Sequence, residues 1–242
     1  VTVSGTGRLY INTGTPRDLN LTTGNFTISS TSSNGSSIMY HSVGDLVWII
    51  NGNLSVAQRF SIVEGTSVAD SGSATIFMSG NFAITGGVFD GFKSAVGPLT
   101  MNVAGTTLIT NNPPTVSFKD KFTGDVSFTS GPMTVSNARN IYFMGRNGAM
   151  GLAQVTINGD LNISGSLVRF YLTYCDTNYN DNYLTVTNDL ILADGQMYVG
   201  NNSGGANISI GRNYTQTGAT SVFNGQKSVN AFGNVAMTVN GS

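Results

Sequence analysis

The stretch Gly80-Asn81-Phe82-Ala83-Ile84 is one copy of a five-residue motif that decides the fold. In this corner-strand motif a turn residue, usually Gly, precedes Asn or Asp, and an apolar, a polar and an apolar residue follow. The alternation predicts a strand with one buried face, and the Gly-Asn or Gly-Asp pair predicts a corner, where a positive φ is cheap. Clear copies begin at residues 24, 52, 80, 124, 159 and 233, and weaker copies begin at residues 7, 105, 188 and 212.

The motif repeats at a fairly regular distance along the chain. From residue 24 to residue 233 its turn positions are 19 to 35 residues apart, about 26 on average, which is typical of repeat architectures. Most copies follow a second alternating segment, such as Ala74-Thr75-Ile76-Phe77-Met78. Two or three short strands per repeat, joined by corners, describe one coil of a β-solenoid. An antiparallel sandwich is the main competitor, but it does not predict the same motif ten times.

We therefore predict an all-β protein, a single parallel β-solenoid (a right-handed β-helix) of about nine to ten irregular rungs with protruding loops. The apolar residues of the motif should point inward and stack rung on rung. The residues expected in this core are Phe26, Ile28, Leu54, Val56, Phe82, Ile84, Val126, Phe128, Leu161, Ile163, Leu190 and Leu192.

Four stretches interrupt the repeat and are predicted to be loops: Ser29 to Ser42, Asn111 to Pro114, Arg139 to Gly151 and Phe170 to Tyr183. No composition shift divides the chain, so residues 1–242 are expected to form one solenoid domain. Both ends stop in strand alternation without a polar cap, and solenoids usually need caps. Two expectations follow: the chain is a segment of a longer polypeptide, or its ends associate head to tail with another copy.

Composition excludes several classes of function. Charged residues make up only 10% of the chain, and the net charge is −1, so nothing favours binding to nucleic acid. The longest purely apolar run, at residues 46–50, is five residues, too short for a membrane span. A single cysteine, Cys175, excludes an internal disulfide.

The second residue of the motif should form a column if the repeats stack. Asp125, Asp160 and Asp189 would then be consecutive carboxylates along one edge, about 4.8 Å apart. Such a stripe could hold a cation or a sugar. The simpler interpretation is an Asx-type corner, in which each side chain caps local backbone and stacks as a ladder.

One loop resembles a calcium-binding loop in its spacing of oxygen ligands. Its candidate ligands are Asp176, Asn178, Asn180 and Asp181. The segment departs from the EF-hand pattern, because Asp181 stands where Gly is required and Thr187 stands where the bidentate Glu belongs. A solvated polar loop is the alternative, and otherwise no cofactor is expected.

The sequence suggests two kinds of glycan chemistry. Aromatic rings next to amides and a guanidinium suit contact with sugars, and the candidates are Arg169, Tyr171, Tyr174 and Tyr179. Packing of these tyrosines is the alternative. Asn20 and Asn162 lie in Asn-X-Ser/Thr sequons with an Asp two residues before, so both are candidate glycosylation sites.

Side chains that could catalyse a reaction are sparse in the sequence. His41, the only histidine, is distant in sequence from Cys175, and the near carboxylate pairs are Asp120/Asp125 and Asp176/Asp181. Because β-helical polysaccharide lyases and hydrolases need clustered carboxylates or a carboxylate beside a base, a carbohydrate-active enzyme is the alternative function.

The repeated stretches at residues 50–56, 78–87, 157–165 and 186–192 resemble the β-helical segments of large secreted surface proteins of Bacteroidota, which act as adhesins or gliding-related filaments. This resemblance implies a secreted, extracellular or cell-surface protein with a structural or adhesive role, either a filament-forming subunit or a stalk segment. It carries no catalytic residues over to this chain. Surface glycans and other copies of the chain are the implied partners.

Overall fold

The computed structural model describes residues 1–13, 17–29, 35–40, 44–65, 72–93, 97–110, 115–120, 123–145, 151–174, 182–199, 205–225 and 235–241. In this part of the chain 27 strands, numbered β1 to β27 in chain order, form three sheets of nine parallel strands each, and no helix occurs. No helix of these residues is therefore long and apolar enough to cross a membrane.

The three sheets are called A, B and C in the order in which the chain first reaches them. Sheet A contains β1 (Thr2–Val3), β4 (Phe26–Ile28), β7 (Leu54–Val56), β10 (Phe82–Ile84), β13 (Thr107–Ile109), β16 (Met133–Ser136), β19 (Leu161–Ser164), β22 (Leu190–Ala193) and β25 (Tyr214–Thr217). Sheet B contains β2 (Tyr10–Thr13), β5 (Ser36–Tyr40), β8 (Phe60–Glu64), β11 (Val88–Lys93), β14 (Thr115–Lys119), β17 (Asn140–Met144), β20 (Arg169–Thr173), β23 (Gln196–Tyr198) and β26 (Val222–Asn224). Sheet C contains β3 (Leu19–Thr23), β6 (Leu46–Ile50), β9 (Ala74–Met78), β12 (Leu99–Val103), β15 (Val126–Ser130), β18 (Ala153–Ile157), β21 (Asn182–Val186), β24 (Ala206–Ile210) and β27 (Val235–Val239).

The chain visits the three sheets in a fixed cycle, and each strand pairs in parallel with the strands three before and three after it. In sheet A, for example, Phe82 is the direct partner of Leu54 on one side and of Thr107 on the other. This topology confirms the predicted parallel β-solenoid and excludes an antiparallel sandwich. The right-handed sense stays a prediction.

The core runs along the whole solenoid axis. All twelve residues that were predicted to point inward are buried, with at most 1% of their surface exposed. Rings of neighbouring coils touch one another inside, as in the parallel stack of Phe118 on Phe143, whose centroids are 4.5 Å apart. Burial of apolar side chains from three sheets is the main source of stability.

Three of the four predicted loops are corrected by the structure. The first contains β5, the third contains β17, and the fourth contains nearly all of β20 and the start of β21. Asn111 to Pro114 lies outside the described residues. The missed strands belong mainly to sheet B, where side chains on both faces are buried. In β8, for instance, Phe60, Ser61, Ile62 and Val63 are all buried, so the period-2 alternation of a half-exposed strand is missing.

The corners between sheet C and sheet A differ in length. Six of the eight corners have three residues, but Gly24–Asn25 and Gly131–Pro132 have two. The shorter corner at Gly131–Pro132 lies between coils with three-residue corners, so the surface of the solenoid recedes there.

Candidate functional site

The outer face of sheet B carries a column of buried polar and aromatic side chains, which we call the sheet B column. Its members are direct partners on successive strands, one in each coil, while their neighbours Phe60, Phe89 and Phe170 belong to the core. The column consists of Ser37, Ser61, Asp90, Ser117, Tyr142, Tyr171 and Tyr198. Ser37, Ser61, Asp90, Ser117 and Tyr171 are at most 2% exposed.

Three tyrosines of the column form a continuous stack. The ring of Tyr171 lies 4.9 Å from that of Tyr142 on one side and 4.9 Å from that of Tyr198 on the other, both nearly parallel. Tyr174 packs edge-on against Tyr142 and Tyr171. Burial raises the pKa of Tyr171 above its usual range, Tyr142 adds to this effect, and Arg169 opposes it. The Tyr171 hydroxyl is therefore neutral at ordinary pH, and its ring is a packed element of the sheet.

The glycan contact predicted from the sequence falls partly on this stack. Arg169 begins β20 with an exposed side chain, Tyr174 is half-buried, and Tyr179 lies outside the described residues. Both faces of the Tyr171 ring are occupied by other rings, so a sugar cannot stack on it. Contact of Arg169 and Tyr174 with a glycan stays a prediction.

Sequence reasoning missed Tyr142 and Tyr198 as members of the stack. They are 29 residues before and 27 residues after Tyr171, close to the repeat length. A search for aromatic residues at that period would have found them.

Lys119 is the most perturbed basic group in the described part of the chain. It ends β14 with no exposed surface, its Nζ donates a hydrogen bond to the carbonyl oxygen of Gly97 at 2.8 Å, and it lies over the ring of Phe92. Burial lowers the pKa of Lys119 from 10.5 to about 7, and the Asp125 carboxylate partly offsets this. Such an amine can accept a proton near neutrality, but its burial keeps it from a substrate in solvent.

An ion pair lies near Lys119, where two strands of the same sheet end. Lys93 ends β11 and pairs with Glu64 of β8, and the Oγ of Ser37 donates a hydrogen bond to the other carboxylate oxygen of Glu64 at 2.8 Å. The pair is largely buried, and both carboxylate oxygens of Glu64 accept a hydrogen bond, so it acts as a structural link between three neighbouring coils.

The column predicted for the second motif residue is present as a hydrogen-bonded ladder at the corner before sheet A. The Oδ1 of Asn25 accepts from the backbone N–H of Asn53, Asn53 accepts from Asn81, and Asn81 accepts from Thr106, at 2.7 to 2.9 Å. Pro132 follows in the next coil and has no N–H to donate, so the ladder stops at Thr106. This confirms the predicted ladder, but each side chain caps the backbone of the next coil and not its own local backbone.

The ladder resumes after Pro132 with two carboxylates. Asp160 accepts from the backbone N–H of Asp189, and Asp189 accepts from that of Asn213. The guanidinium of Arg212 lies 3.3 Å from Asp160 and 3.1 Å from Asp189. Arg212 therefore supplies the positive charge that the predicted cation would have supplied at this edge.

Asp125 does not belong to that edge, which corrects the expectation of three consecutive carboxylates. It precedes β15 of sheet C, and its Oδ1 accepts from the backbone N–H of Leu152 at 2.8 Å. A second ladder runs along this corner, where Asp18 accepts from Asp45 and Asp45 accepts from Ser73. The same motif thus opens strands of two different sheets.

The other candidate sites are only partly described. The predicted calcium ligands Asp176, Asn178, Asn180 and Asp181 lie outside the described residues, as do His41 and Cys175. In the described ranges no group of three or more His, Cys, Asp and Glu side chains could hold a metal ion. Of the carboxylate pair Asp120/Asp125, Asp120 is buried and Asp125 is exposed.

The two candidate glycosylation sites lie on strands. Asn20 is exposed on β3, and Asn162 is half-buried on β19 between its partners Thr134 and Ile191. Modification of either residue stays a prediction.

Comparison with family models, curated proteins and solved structures finds no significant match to this chain. The structure shows a repetitive parallel β-solenoid, and no match supports a relation to bacterial surface proteins.

Proposed function

We propose that this chain is an extracellular structural and adhesive β-solenoid, acting as a filament subunit or as a stalk segment of a cell-surface adhesin. The observation that carries the proposal is the unbroken pairing of strands from β1 to β27 around one apolar core. An unbroken stack of this kind suits a rod that holds binding surfaces away from a support.

The perturbed groups that the structure describes support a structural role. Lys119 and Tyr171 have shifted pKa values because they are packed in the sheet B column or next to it. Their polar atoms and rings contact neighbouring coils instead of solvent. We therefore propose that the chain binds partners without chemical turnover.

Association with other copies is the second part of the proposal. The first and last coils each present three strands that pair on one side only within the described chain. Strand edges with unpaired N–H and C=O groups favour pairing with another chain, and a head-to-tail contact that does not close gives an open filament.

The proposal is tested with a panel of neutral and anionic polysaccharides and with sedimentation of the 242-residue chain. We expect binding of at least one polysaccharide without release of reducing or unsaturated ends, and a sedimentation coefficient that increases with concentration. Turnover that a single Asp→Ala change abolishes would show a carbohydrate-active enzyme instead. A chain that stays monomeric at millimolar concentration would contradict self-association.

A further inference from the structure

An open groove of about 610 Å³ lies where sheet C turns into sheet A. One wall consists of outward side chains at the fourth position of successive strands β6, β9, β12 and β15, which are direct partners of one another: Ile49, Phe77, Asn102 and Thr129. The other wall consists of corner residues, including Asn51 and Asn158. The groove therefore follows the solenoid axis across five coils, roughly 19 Å at the usual strand spacing.

The groove has a local cause in the chain. The corner Gly131–Pro132 is one residue shorter than the corners on either side, and Gly131 adds no side chain. The wall is consequently lowest at the fourth of the five coils that the groove crosses.

The lining combines an exposed apolar platform with uncharged polar groups. Phe77 and Ile49 are 47% and 41% exposed and directly opposite each other on neighbouring strands. Exposed apolar side chains that lie side by side indicate a contact surface. Around them are amides and hydroxyls, which can donate and accept hydrogen bonds. None of the described residues that line the groove is charged.

We propose that this groove binds an uncharged polysaccharide chain that lies along the solenoid axis. The ring of Phe77 contacts the apolar C–H face of one sugar, and the amides of Asn51, Asn102 and Asn158 bind sugar hydroxyls. This inference rests on the proposed adhesive function and names its class of partner. The site is separate from the region around Arg169 and Tyr174, which lies on sheet B.

Charge complementarity decides the class of polymer. A carboxylated or sulfated chain would bring anions next to Ile49 and Phe77, where no cation lines the groove, and their desolvation would be uncompensated. The length of the groove, roughly 19 Å, fits several sugar rings in a row.

A peptide strand is a poorer fit. The strands β6, β9, β12 and β15 are each paired on both sides within sheet C, so they offer no free backbone edge for strand addition. Contact with a second copy of the chain is an alternative that the test distinguishes.

The test measures binding of soluble xyloglucan, a neutral polysaccharide, and of polygalacturonate, an anionic one, by affinity electrophoresis and calorimetry. The variants are Phe77→Ala and, as a matched control, Tyr183→Ala. Tyr183 is also an outward aromatic residue of sheet C, 42% exposed, but it does not line the groove. We expect xyloglucan to bind more tightly than polygalacturonate, a loss of at least tenfold in affinity for Phe77→Ala, and a change below twofold for Tyr183→Ala.

Three results would overturn the inference. If Phe77→Ala bound xyloglucan as tightly as the wild type, the groove would be excluded as the binding site. If the wild type bound polygalacturonate alone, an uncharged polysaccharide would be excluded as its ligand. Both results leave the adhesive function in place. If the wild type self-associated and bound no polysaccharide, and Phe77→Ala were monomeric, the groove would be a contact with a second copy of the chain. Failure of the wild type to bind any polysaccharide or cell surface would instead count against the adhesive function itself.

Discussion

The Nζ of Lys119 lies 4.4 Å from the centre of the Phe92 ring, and the two residues are direct partners on the neighbouring strands β14 and β11. The ring and the carbonyl oxygen of Gly97 help to stabilise the ammonium form, as does the Asp125 carboxylate. They do not replace the water that burial removes, which is why the pKa of Lys119 falls to about 7.

Stability should therefore rise with pH above neutrality. Between pH 7 and pH 10.5 the unfolded chain keeps the Lys119 proton while the folded chain loses it, so the unfolded state binds more protons and the free energy of unfolding increases. We expect an increase of about 2 kcal/mol from pH 7 to pH 9. Urea unfolding followed by circular dichroism at pH 7, 8 and 9 measures it.

The variant Lys119→Met should remove that increase, because the titrating group is gone. Lys93→Met is the control, since Lys93 is paired with Glu64, and it should keep the increase. An equal slope in Lys119→Met and the wild type would show that another group titrates.

The tyrosine stack predicts a large difference between two substitutions of Tyr171. Tyr171→Ala removes a buried ring between two others and should lower the free energy of unfolding by about 3 kcal/mol. Tyr171→Phe keeps the ring and should cost less than about 1 kcal/mol. Chemical denaturation of the two variants side by side decides this. Similar losses for both would mean that the hydroxyl, not the ring, stabilises the stack.

The corner ladder predicts that the side-chain oxygen of Asn81 contributes more to stability than its NH2 group does. The Oδ1 of Asn81 accepts hydrogen bonds from the N–H and the hydroxyl of Thr106. Asn81→Ala should therefore cost about 1 kcal/mol, whereas Asn81→Asp keeps an acceptor and should cost much less. Thermal unfolding of both variants gives the comparison. If the aspartate variant lost as much as the alanine variant, the donor side of Asn81 would be important.

The loss of stability caused by a core substitution should depend on the coil in which the residue lies. Phe118 contacts the rings of Phe89, Phe128 and Phe143 in the middle of the solenoid, so Phe118→Ala should cost roughly 3–5 kcal/mol. Phe223 lies in the last coil and is only half-buried against Tyr214, so Phe223→Ala should cost less than about 2 kcal/mol. Equal losses at both positions would indicate that all coils unfold together.

Sheet A was predictable from the sequence because its outer face is partly exposed and its inner face is buried. Leu54 and Val56 are buried while Ser55 between them is half-buried, so the strand is visible as an alternating pattern. Sheet B carries buried side chains on both faces, such as Ser61 and Ile62, and the alternation that identifies a strand disappears.

The position of Asp125 shows a second limit. The residues around it match the motif at Asp160, yet the first opens a strand of sheet C and the second a strand of sheet A. A corner has the same local chemistry wherever the chain turns. Only long-range strand pairing therefore shows to which sheet the following strand belongs. The contact of Tyr142 with Tyr171 differs in this respect, because their spacing of 29 residues is close to the repeat length and indicates the pairing that the register then shows.

The parallel stacking of coils has a mechanical consequence. Along the axis each coil adds only about 4.8 Å of length, but it stores roughly 27 residues of chain, or about 90 Å when extended. A load applied between the two ends pulls the outermost coil away from its neighbour while the inner coils keep their hydrogen bonds. The rod would then lengthen in steps, one coil at a time. Each step would dissipate mechanical work before the covalent chain itself could break.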